Sequence, residues 1–467
     1  MTFDHDPLLT DLYQLNMVQA YLDHGETGPA VFEFFMRPLP DRRRFLISAG
    51  LEQALDFLEN LRFPTADLDW LASTGRFDQR MIDYLRALRF TGDVHAIPEG
   101  TVCFGDEPIL RVTAPLPQGQ LVESRLINLL HFQMLVAAKA ARVILAAAGR
   151  QVVDFGFRRA HGAEAGLMAA RATYITGFTG TATVAADRDF GIPIFGTMAH
   201  SYIEAHDDEA TAFERFARAR PKNLTLLLDT YDTEAAARKV VALAPRLKAL
   251  GIAIGAVRLD SGDLVTLAKS VRRILDAGGL SGVAIFASGG LDEDSLDAMI
   301  RAGAPIAGFG VGTSINTSAD VPALDCAYKL QEYAGVPRRK QSPGKATWPG
   351  RKQVWRQYGA DGRMAADILG LETETHPGEP LLQLVMQNGR RLGPAPTLAD
   401  IRARAAADMA RLPEALRSLQ AGPRYPVQVS EPLRRLAAET DRRIAEQGGL
   451  ADRRHAAGRE ARGSTSG

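Results

Sequence analysis

Cysteine is scarce in this chain: Cys103 and Cys326 are its two thiols, far apart and outside any CxxC or Cys/His ligand spacing. That excludes a disulfide framework and a structural zinc site, and it suggests a reducing cytoplasm. Net charge is absent as well. Lys plus Arg and Asp plus Glu number 55 each, so no global basic field gathers nucleic acid or an anionic membrane, and any anionic ligand must be held by local charges. No long apolar run goes uninterrupted. The best, Leu126 to Ala148, contains His131, Gln133, Lys139 and Arg142, which predicts a buried or interface helix rather than a membrane span. The opening residues, Met-Thr-Phe-Asp-His-Asp, show no basic region followed by an apolar stretch, so no signal peptide and a cytoplasmic location are expected.

Several devices for nucleotides and metals are missing too. No GxxxxGK[ST] loop occurs, because Gly344-Lys345-Ala346 lacks both the upstream glycine and the following hydroxyl. No GxGxxG opens a helix after a strand, and neither a GxSxG elbow nor HExxH is present. His200 and His206 are six apart, a poor spacing for two ligands on one helix, so no metal site built from the protein is predicted. There is no internal repeat.

What is present is a globular composition, 46% hydrophobic over 467 residues, with a length that favours two or three domains. Residues 1–150 read as a mixed α+β unit. Thr10 is placed to cap a helix whose stripe is Leu12, Leu15, Val18, Tyr21 and Leu22, with Tyr13 off that stripe. Val31 to Met36 reads as a strand ending at Arg37 and the turn Pro38 to Pro40, and Arg42-Arg43-Arg44 reads as a solvated loop. Helical spacing follows at 51–61 and 77–88, short strands turning back on themselves at 94–114, and a long helix at 118–149 closed by glycine.

Residues 151–320 alternate apolar runs with loops and helical patterns, which predicts parallel strands with crossover helices. The expected fold class is therefore α/β: an incomplete (β/α) barrel of six or seven strands, fewer than a closed eight-stranded barrel needs. Within it Ile192 to Phe195 reads as a buried strand, and Gly196-Thr197 as the turn lifting Met198, Ala199 and His200 off its carboxyl end. Residues 321–400 return to the mixed domain with a loop marked by Gly344, Pro349 and Gly350, and 401–447 carry C-terminal helices. The Gly, Ala, Arg and Ser-rich stretch 448–467 reads as a disordered tail.

Parallel strands share one carboxyl face, so the residues after each can be read together. They are Asp154-Phe-Gly-Phe-Arg158-Arg159-Ala-His161, Thr197 with His200, Asp229-Thr-Tyr-Asp232, Arg258-Leu-Asp260-Ser-Gly-Asp263, Ser288-Gly289-Gly290 and Gly308-Phe-Gly310-Val-Gly312-Thr313. A lone histidine is more often a satisfied core residue; the company at the other strand ends favours function for His200. Arg158 and Arg258 amid carboxylates imply a desolvation cost that ion pairing alone seldom offsets. Asp263 reads as a helix cap and Asp260 as functional. The two glycine turns look like phosphate cradles, where backbone N–H groups reach an anion because no Cβ intrudes.

These segments, with Thr10-Asp-Leu-Tyr-Gln-Leu-Asn-Met17, Gly196-Thr-Met-Ala-His-Ser201 and Lys340-Gln-Ser-Pro-Gly-Lys345, resemble the nicotinate phosphoribosyltransferases over nearly the whole chain. The resemblance implies transfer of phosphoribose from phosphoribosyl pyrophosphate to nicotinate, giving nicotinate mononucleotide and pyrophosphate, with ATP as co-substrate and substrate-bound Mg²⁺. It implies transient phosphorylation of His200, a homodimer with a shared active site, and Tyr13 stacking on the pyridine ring from the partner subunit. It further implies Arg158, Arg258 and Thr197 at the carboxylate, Asp260 at the ribose, and Ser288, Gly289, Gly290, Gly310, Gly312 and Thr313 at the 5′-phosphate. Arg37, Lys340 and Lys345 then take pyrophosphate or ATP phosphates. One departure is Gly180-Thr-Ala-Thr-Val184, where the family usually reads Gly-Thr-Ser-Asn-Val. The related nicotinamide enzymes carry Asp at the position of Ala182, so Ala182 favours the acid over the amide as substrate. The alternatives are a nicotinamide or quinolinate phosphoribosyltransferase, or a catalytically silent regulatory relative.

Overall fold

The computed structural model describes residues 5–342 and 344–463, with side chains through residue 447. Helix α1 (Leu12–Asp23) starts from Asp11, not Thr10. Asp11 is extended and its N–H donates to Gln14 Oε1 at 2.8 Å, while the Thr10 hydroxyl donates to the same Gln14 oxygen at 2.9 Å. The cap therefore falls one residue later than expected, because Gln14 closes a box on the residue three before it.

Strands β1 (Pro29–Met36), β2 (Asp93–Ala96) and β3 (Pro108–Pro115) build an antiparallel sheet, and α2 (Glu123–Ala147) follows. Among the described residues, α2 is the helix long and apolar enough to cross a membrane, yet 78% of its apolar window is buried inside the protein. It packs against α3 and α8 of the barrel, described next, so its apolar faces are met by other helices.

The barrel region runs in chain order through β4 (Gln151–Asp154), α3 (Ala163–Thr176), β5 (Gly180–Thr181), α4 (Val184–Phe190), α5 (His200–Glu204), a further helix at Glu209–Ala219, β6 (Leu224–Leu227), α6 (Thr233–Ala249), β7 (Ile254–Leu259), α7 (Leu264–Ala277), β8 (Ala284–Ala287), α8 (Glu293–Arg301), β9 (Gly308–Val311) and α9 (Thr313–Asn316). The strands form a six-stranded, all-parallel sheet in the order β5, β4, β9, β8, β7, β6. It is the expected incomplete barrel, with its two edges left apart. Short apolar runs such as Leu224-Thr-Leu-Leu227 are strands because both faces of a parallel sheet are covered by helices.

The buried strand expected at Ile192 to Phe195 is not one. Only Ile194 bridges Thr181, the contact rests on the hydrogen bonds Thr181 N to Pro193 O and Phe195 N to Thr181 O, and Ile194 and Phe195 are 45% and 37% exposed. The two-residue β5 offers a short edge and Pro193 has no N–H, so a ladder cannot extend.

After the barrel, β10 (Cys326–Tyr333) returns to pair with β1, and β11 (Lys352–Tyr358) pairs with β12 (Met364–Leu371) in a second, four-stranded sheet. β13 (Gln383–Gln387) joins the far side of the first sheet beside β2. Helices α10 (Leu398–Ala410) and α11 (Glu431–Gly463) complete the chain; the backbone of 448–463, read from sequence as part of a disordered tail, continues α11, while residues 464–467 and the side chains from 448 lie outside the described residues.

The arginines at 42–44 are not a solvated loop. Arg43 is 1% and Arg44 6% exposed. Arg43 forks onto Asp320 and donates to Ser318 Oγ and Leu135 O, and Arg42 pairs with Asp294 at 2.6 Å. Cations bury when acidic residues distant in sequence arrive beside them, which local pattern cannot report.

Candidate active site

The carboxyl ends of β4 to β9 converge as the parallel order requires. His200 is the first residue of α5, held there by the turn that leaves Ile194. Its Nδ1 lies 3.1 Å from Thr230 Oγ1, after β6, and its Nε2 lies 4.0 Å from Asp260 Oδ2, after β7. The side chain is 39% exposed, so one ring nitrogen is positioned by a hydroxyl while the other faces a carboxylate across an accessible gap. Asp260 is itself anchored: its N–H donates to Asp229 Oδ2 at 3.0 Å, and Ser288 Oγ donates to Asp260 Oδ1. Asp229 Oδ2 also accepts from Ser261 Oγ at 2.6 Å, and its Oδ1 is buried without a protein partner. Asp263 caps α7, accepting from the N–H groups of Val265 and Thr266.

Arg258 lies within β7, two residues before Asp260. Its Nη1 donates to Thr197 Oγ1 at 2.8 Å and its Nη2 to Met198 O at 3.2 Å, while Nε is buried and unpartnered. Burial lowers its pKa; Asp260 and Asp229 pull it back up, and Arg158 lowers it further. No carboxylate lies within 4 Å of the guanidinium among the described residues. Arg158 is exposed beside it, on the single turn Phe157–Arg159 that follows β4. A fork fixed by a threonine and a carbonyl, next to a second arginine and without its own counter-ion, suits a planar carboxylate.

The glycine residues divide. Gly289 and Gly290 turn with positive φ (96° and 64°), and a Cβ on Gly289 would lie 1.8 Å from Asp260 O, so only glycine permits this approach. Gly312 precedes Thr313 at the start of α9, and a Cβ there would meet Phe155 O at 2.8 Å. Gly310 is different. It lies inside β9, buried, where a Cβ would be 2.4 Å from the Phe155 ring. It makes room for an aromatic ring and does not belong to the turn, since the strand runs two residues further than the sequence suggested.

Ala182 is exposed between Thr181 and the buried Thr183, at the start of α4, and its N–H donates to Asp154 O at 2.8 Å. Arg37, Lys340 and Lys345 form a second group. Arg37 pairs with Asp325 at 3.3 Å and reaches Gly344 O at 3.5 Å, within the loop bearing both lysines, which are exposed. No hydrogen bond or ion pair joins this group to His200 among the described residues. Tyr13 is 46% exposed on α1, hydrogen-bonded with Gln14 and set beside Glu123 and Ser124, and likewise makes no such contact with the strand ends.

Two residues given no role from sequence stand out. Asp154 ends β4 fully buried and accepts three hydrogen bonds: from Gly156 N at 2.9 Å, Asn316 Nδ2 at 2.8 Å and Thr181 Oγ1 at 2.7 Å. It ties the Arg158 turn, the Ala182 segment and α9 to one point. Burial raises its pKa, and the three donors oppose that. A carboxylate closing an apolar run before Phe-Gly is the signal that could have found it. Thr230, the partner of His200 Nδ1, has no sequence signal beyond its place after β6.

Residues 8–131 match the nicotinate phosphoribosyltransferase (NAPRTase) N-terminal domain, 150–341 the NAPRTase family, and 376–437 the nicotinate phosphoribosyltransferase C-terminal domain. Nicotinate phosphoribosyltransferase pncB2 of Mycobacterium tuberculosis is 49% identical over 426 residues, 91% of each chain. The Bos taurus nicotinate phosphoribosyltransferase is 33% identical, with 92% of this chain and 96% of that one covered. Human nicotinic acid phosphoribosyltransferase superposes with a TM-score of 0.83 at 30% identity, covering 92% of this chain and 99% of its own. Nicotinate-nucleotide pyrophosphorylase of Pyrococcus furiosus gives a TM-score of 0.70 at 26% identity, covering 86% and 94%.

Proposed function

The chain belongs to the nicotinate phosphoribosyltransferase family and is an enzyme of NAD biosynthesis; from that premise we propose the roles its residues take in joining nicotinate to phosphoribosyl pyrophosphate. The pyridine nitrogen attacks C1 of the ribose as pyrophosphate leaves. The nitrogen is already unprotonated near neutral pH, so positioning and charge carry the reaction and no strong base is needed. Arg258, oriented by Thr197 and joined by Arg158, holds the nicotinate carboxylate. Asp260, fixed by Ser288 and Asp229, sets negative charge beside a sugar that turns cationic as its bond to pyrophosphate breaks. The turns at Gly289-Gly290 and Gly312-Thr313 receive the 5′-phosphate, and Arg37, Lys340 and Lys345 the pyrophosphate or ATP phosphates. Mg²⁺ arrives bound to the pyrophosphate group, whose charge it neutralises.

The observation that carries this reading is the Arg258 guanidinium, oriented at the strand ends and without a carboxylate of its own. Exchanging Arg258 for methionine should raise the KM for nicotinate by about 10- to 100-fold, the ~1.5–3 kcal/mol of a charge-assisted hydrogen bond, and leave the KM for phosphoribosyl pyrophosphate little changed. Turnover of nicotinate, nicotinamide and quinolinate is to be compared in parallel. Preference for nicotinamide, or an unchanged nicotinate KM in the variant, contradicts the assignment.

ATP coupling runs through His200. With Thr230 on Nδ1, Nε2 is the nitrogen left to accept the γ-phosphoryl group: the Nε2–P bond forms and ADP leaves. The expected result with γ-phosphate-labelled ATP is acid-labile label on His200, and His200→Ala should lose ATP coupling while retaining slow transfer. Undiminished coupling in that variant refutes the role. The enzyme is proposed to act in the cytoplasm as a homodimer, in which the partner subunit's α1 brings its tyrosine to the pyridine ring. The exposure of Tyr13, Phe157, Val184, Ile194 and Phe195 supports a covering partner.

A further inference from the structure

Arg44 presents a physical puzzle away from the strand ends. It is 6% exposed, its Nε is buried and unpartnered, and its one hydrogen bond runs from Nη2 to Ser418 O at 2.7 Å. Among the described residues no carboxylate lies within 4 Å of it, whereas Arg42 and Arg43 beside it in sequence both have one. The charged groups packed around this segment are Arg42, Arg43, Arg44, Lys139 and Arg142 against Glu293, Asp294 and Asp320. All three acids are engaged by the other cations, leaving Arg44 as the cation without a counter-charge. Burial lowers its pKa, and the nearby Arg142 lowers it further; no acid raises it. A guanidinium shielded from bulk solvent and left without a counter-charge gives up hydration that no protein acid here replaces.

Arg44 lines a cavity of about 160 Å³, many times the space one water requires. The walls are the Pro38–Asp41 turn, the Phe104–Asp106 turn, and Arg424, Tyr425 and Val427. Arg424 supplies a second cation, 64% exposed at the rim, whose acidic contact is Asp41 at 3.8 Å, itself 79% exposed. Asp106 is the other acid on the wall. Burial raises its pKa, and Arg37 and Arg424 pull it down.

We propose that this cavity is a non-catalytic binding site for a phosphate-type oxyanion, held between the Arg44 guanidinium and Arg424. A tetrahedral oxyanion supplies the missing counter-charge and several acceptors for the unused N–H groups, and a planar fork is the donor geometry that suits it. The site joins the N-terminal unit to the segment 418–427, so occupancy also stabilises the docking of that segment.

The test is equilibrium dialysis of the full chain against inorganic phosphate in chloride buffer, with thermal unfolding measured in parallel. The wild type should bind one more phosphate per chain than Arg44→Met, which keeps the packing volume and removes the charge. Its melting temperature should rise with phosphate by more than that of the variant. Arg424→Gln, at an exposed position, should weaken the same site several-fold and serves where the Arg44 variant does not fold. ADP distinguishes the sources: one-for-one displacement of the Arg44-dependent phosphate points to a nucleotide phosphoryl group, and failure to displace it points to the free oxyanion. Equal stoichiometry in the wild type and Arg44→Met, or undiminished affinity in Arg424→Gln, overturns the proposal. Pyridine turnover is read separately, so the reaction and this site fail independently.

Discussion

A fully buried carboxylate with no cation beside it holds the carboxyl face of the parallel sheet together at the scale of single residues. Asp154 accepts from Gly156, Asn316 and Thr181, and each donor belongs to a different segment of that face. Replacement by alanine leaves those donors without their acceptor, at about 1–3 kcal/mol for each that stays unsatisfied, partly offset because no charge need be buried. Asp154→Ala should therefore lose about 3 kcal/mol in urea unfolding, and Asp154→Asn less, because an amide keeps one acceptor and can donate to Thr181 Oγ1. An alanine variant as stable as the wild type removes Asp154 from this role. Residues whose own type offers chemistry, such as His200 and Arg258, could be singled out in sequence, and the structure places them on the same face of the sheet. Thr230 and Asp154 were not, because their importance lies in what they touch.

Elements show a different balance. Parallel strands of four to six residues with amphipathic crossover helices were legible because apolar periodicity is local. The segment around Ile194 misled because an apolar run reads alike whether it finds a partner edge or only the two-residue β5. The links between elements are electrostatic as well as apolar. Arg43 and Lys139 both engage Asp320, joining the Arg42–Arg44 segment and α2 to the residues after α9. Burial pushes the Asp320 carboxyl up, but the hydrogen bonds and charges of Arg43 and Lys139 outweigh it and hold the pKa well below the usual carboxylate range. A depressed folded-state pKa means that the stabilisation is complete above the unfolded value, near 4, and is lost as pH falls below it. The stability difference between wild type and Asp320→Asn, measured by urea unfolding, should thus be constant from about pH 7 to 5 and shrink below about pH 4. A gap that widens on acidification would show that Asp320 is not held as a carboxylate.

For the whole molecule, three sequence-distant regions are locked by shared sheets and side-chain hydrogen bonds: β10 and β13 complete the sheet of β1 to β3, while Arg402 of α10 donates to the carbonyls of Tyr174, Gly177 and Phe178 at the end of α3. The face left uncovered is the one bearing Ala182, Ile194 and Phe195, with Tyr13 exposed elsewhere on the chain. Sedimentation equilibrium should give twice the 50.6 kDa chain mass, and Phe195→Glu should shift the protein toward monomer with loss of turnover. A fully active monomer would separate Tyr13 from the pyridine site. Sequence by itself determined the α/β class, the parallel order and the chemistry offered at the strand ends, because apolar period and side-chain type are properties of short stretches. Tertiary structure alone decided which charges are buried, that Gly310 packs a ring, and that Arg44 lacks a counter-ion, because each depends on what distant chain arrives alongside.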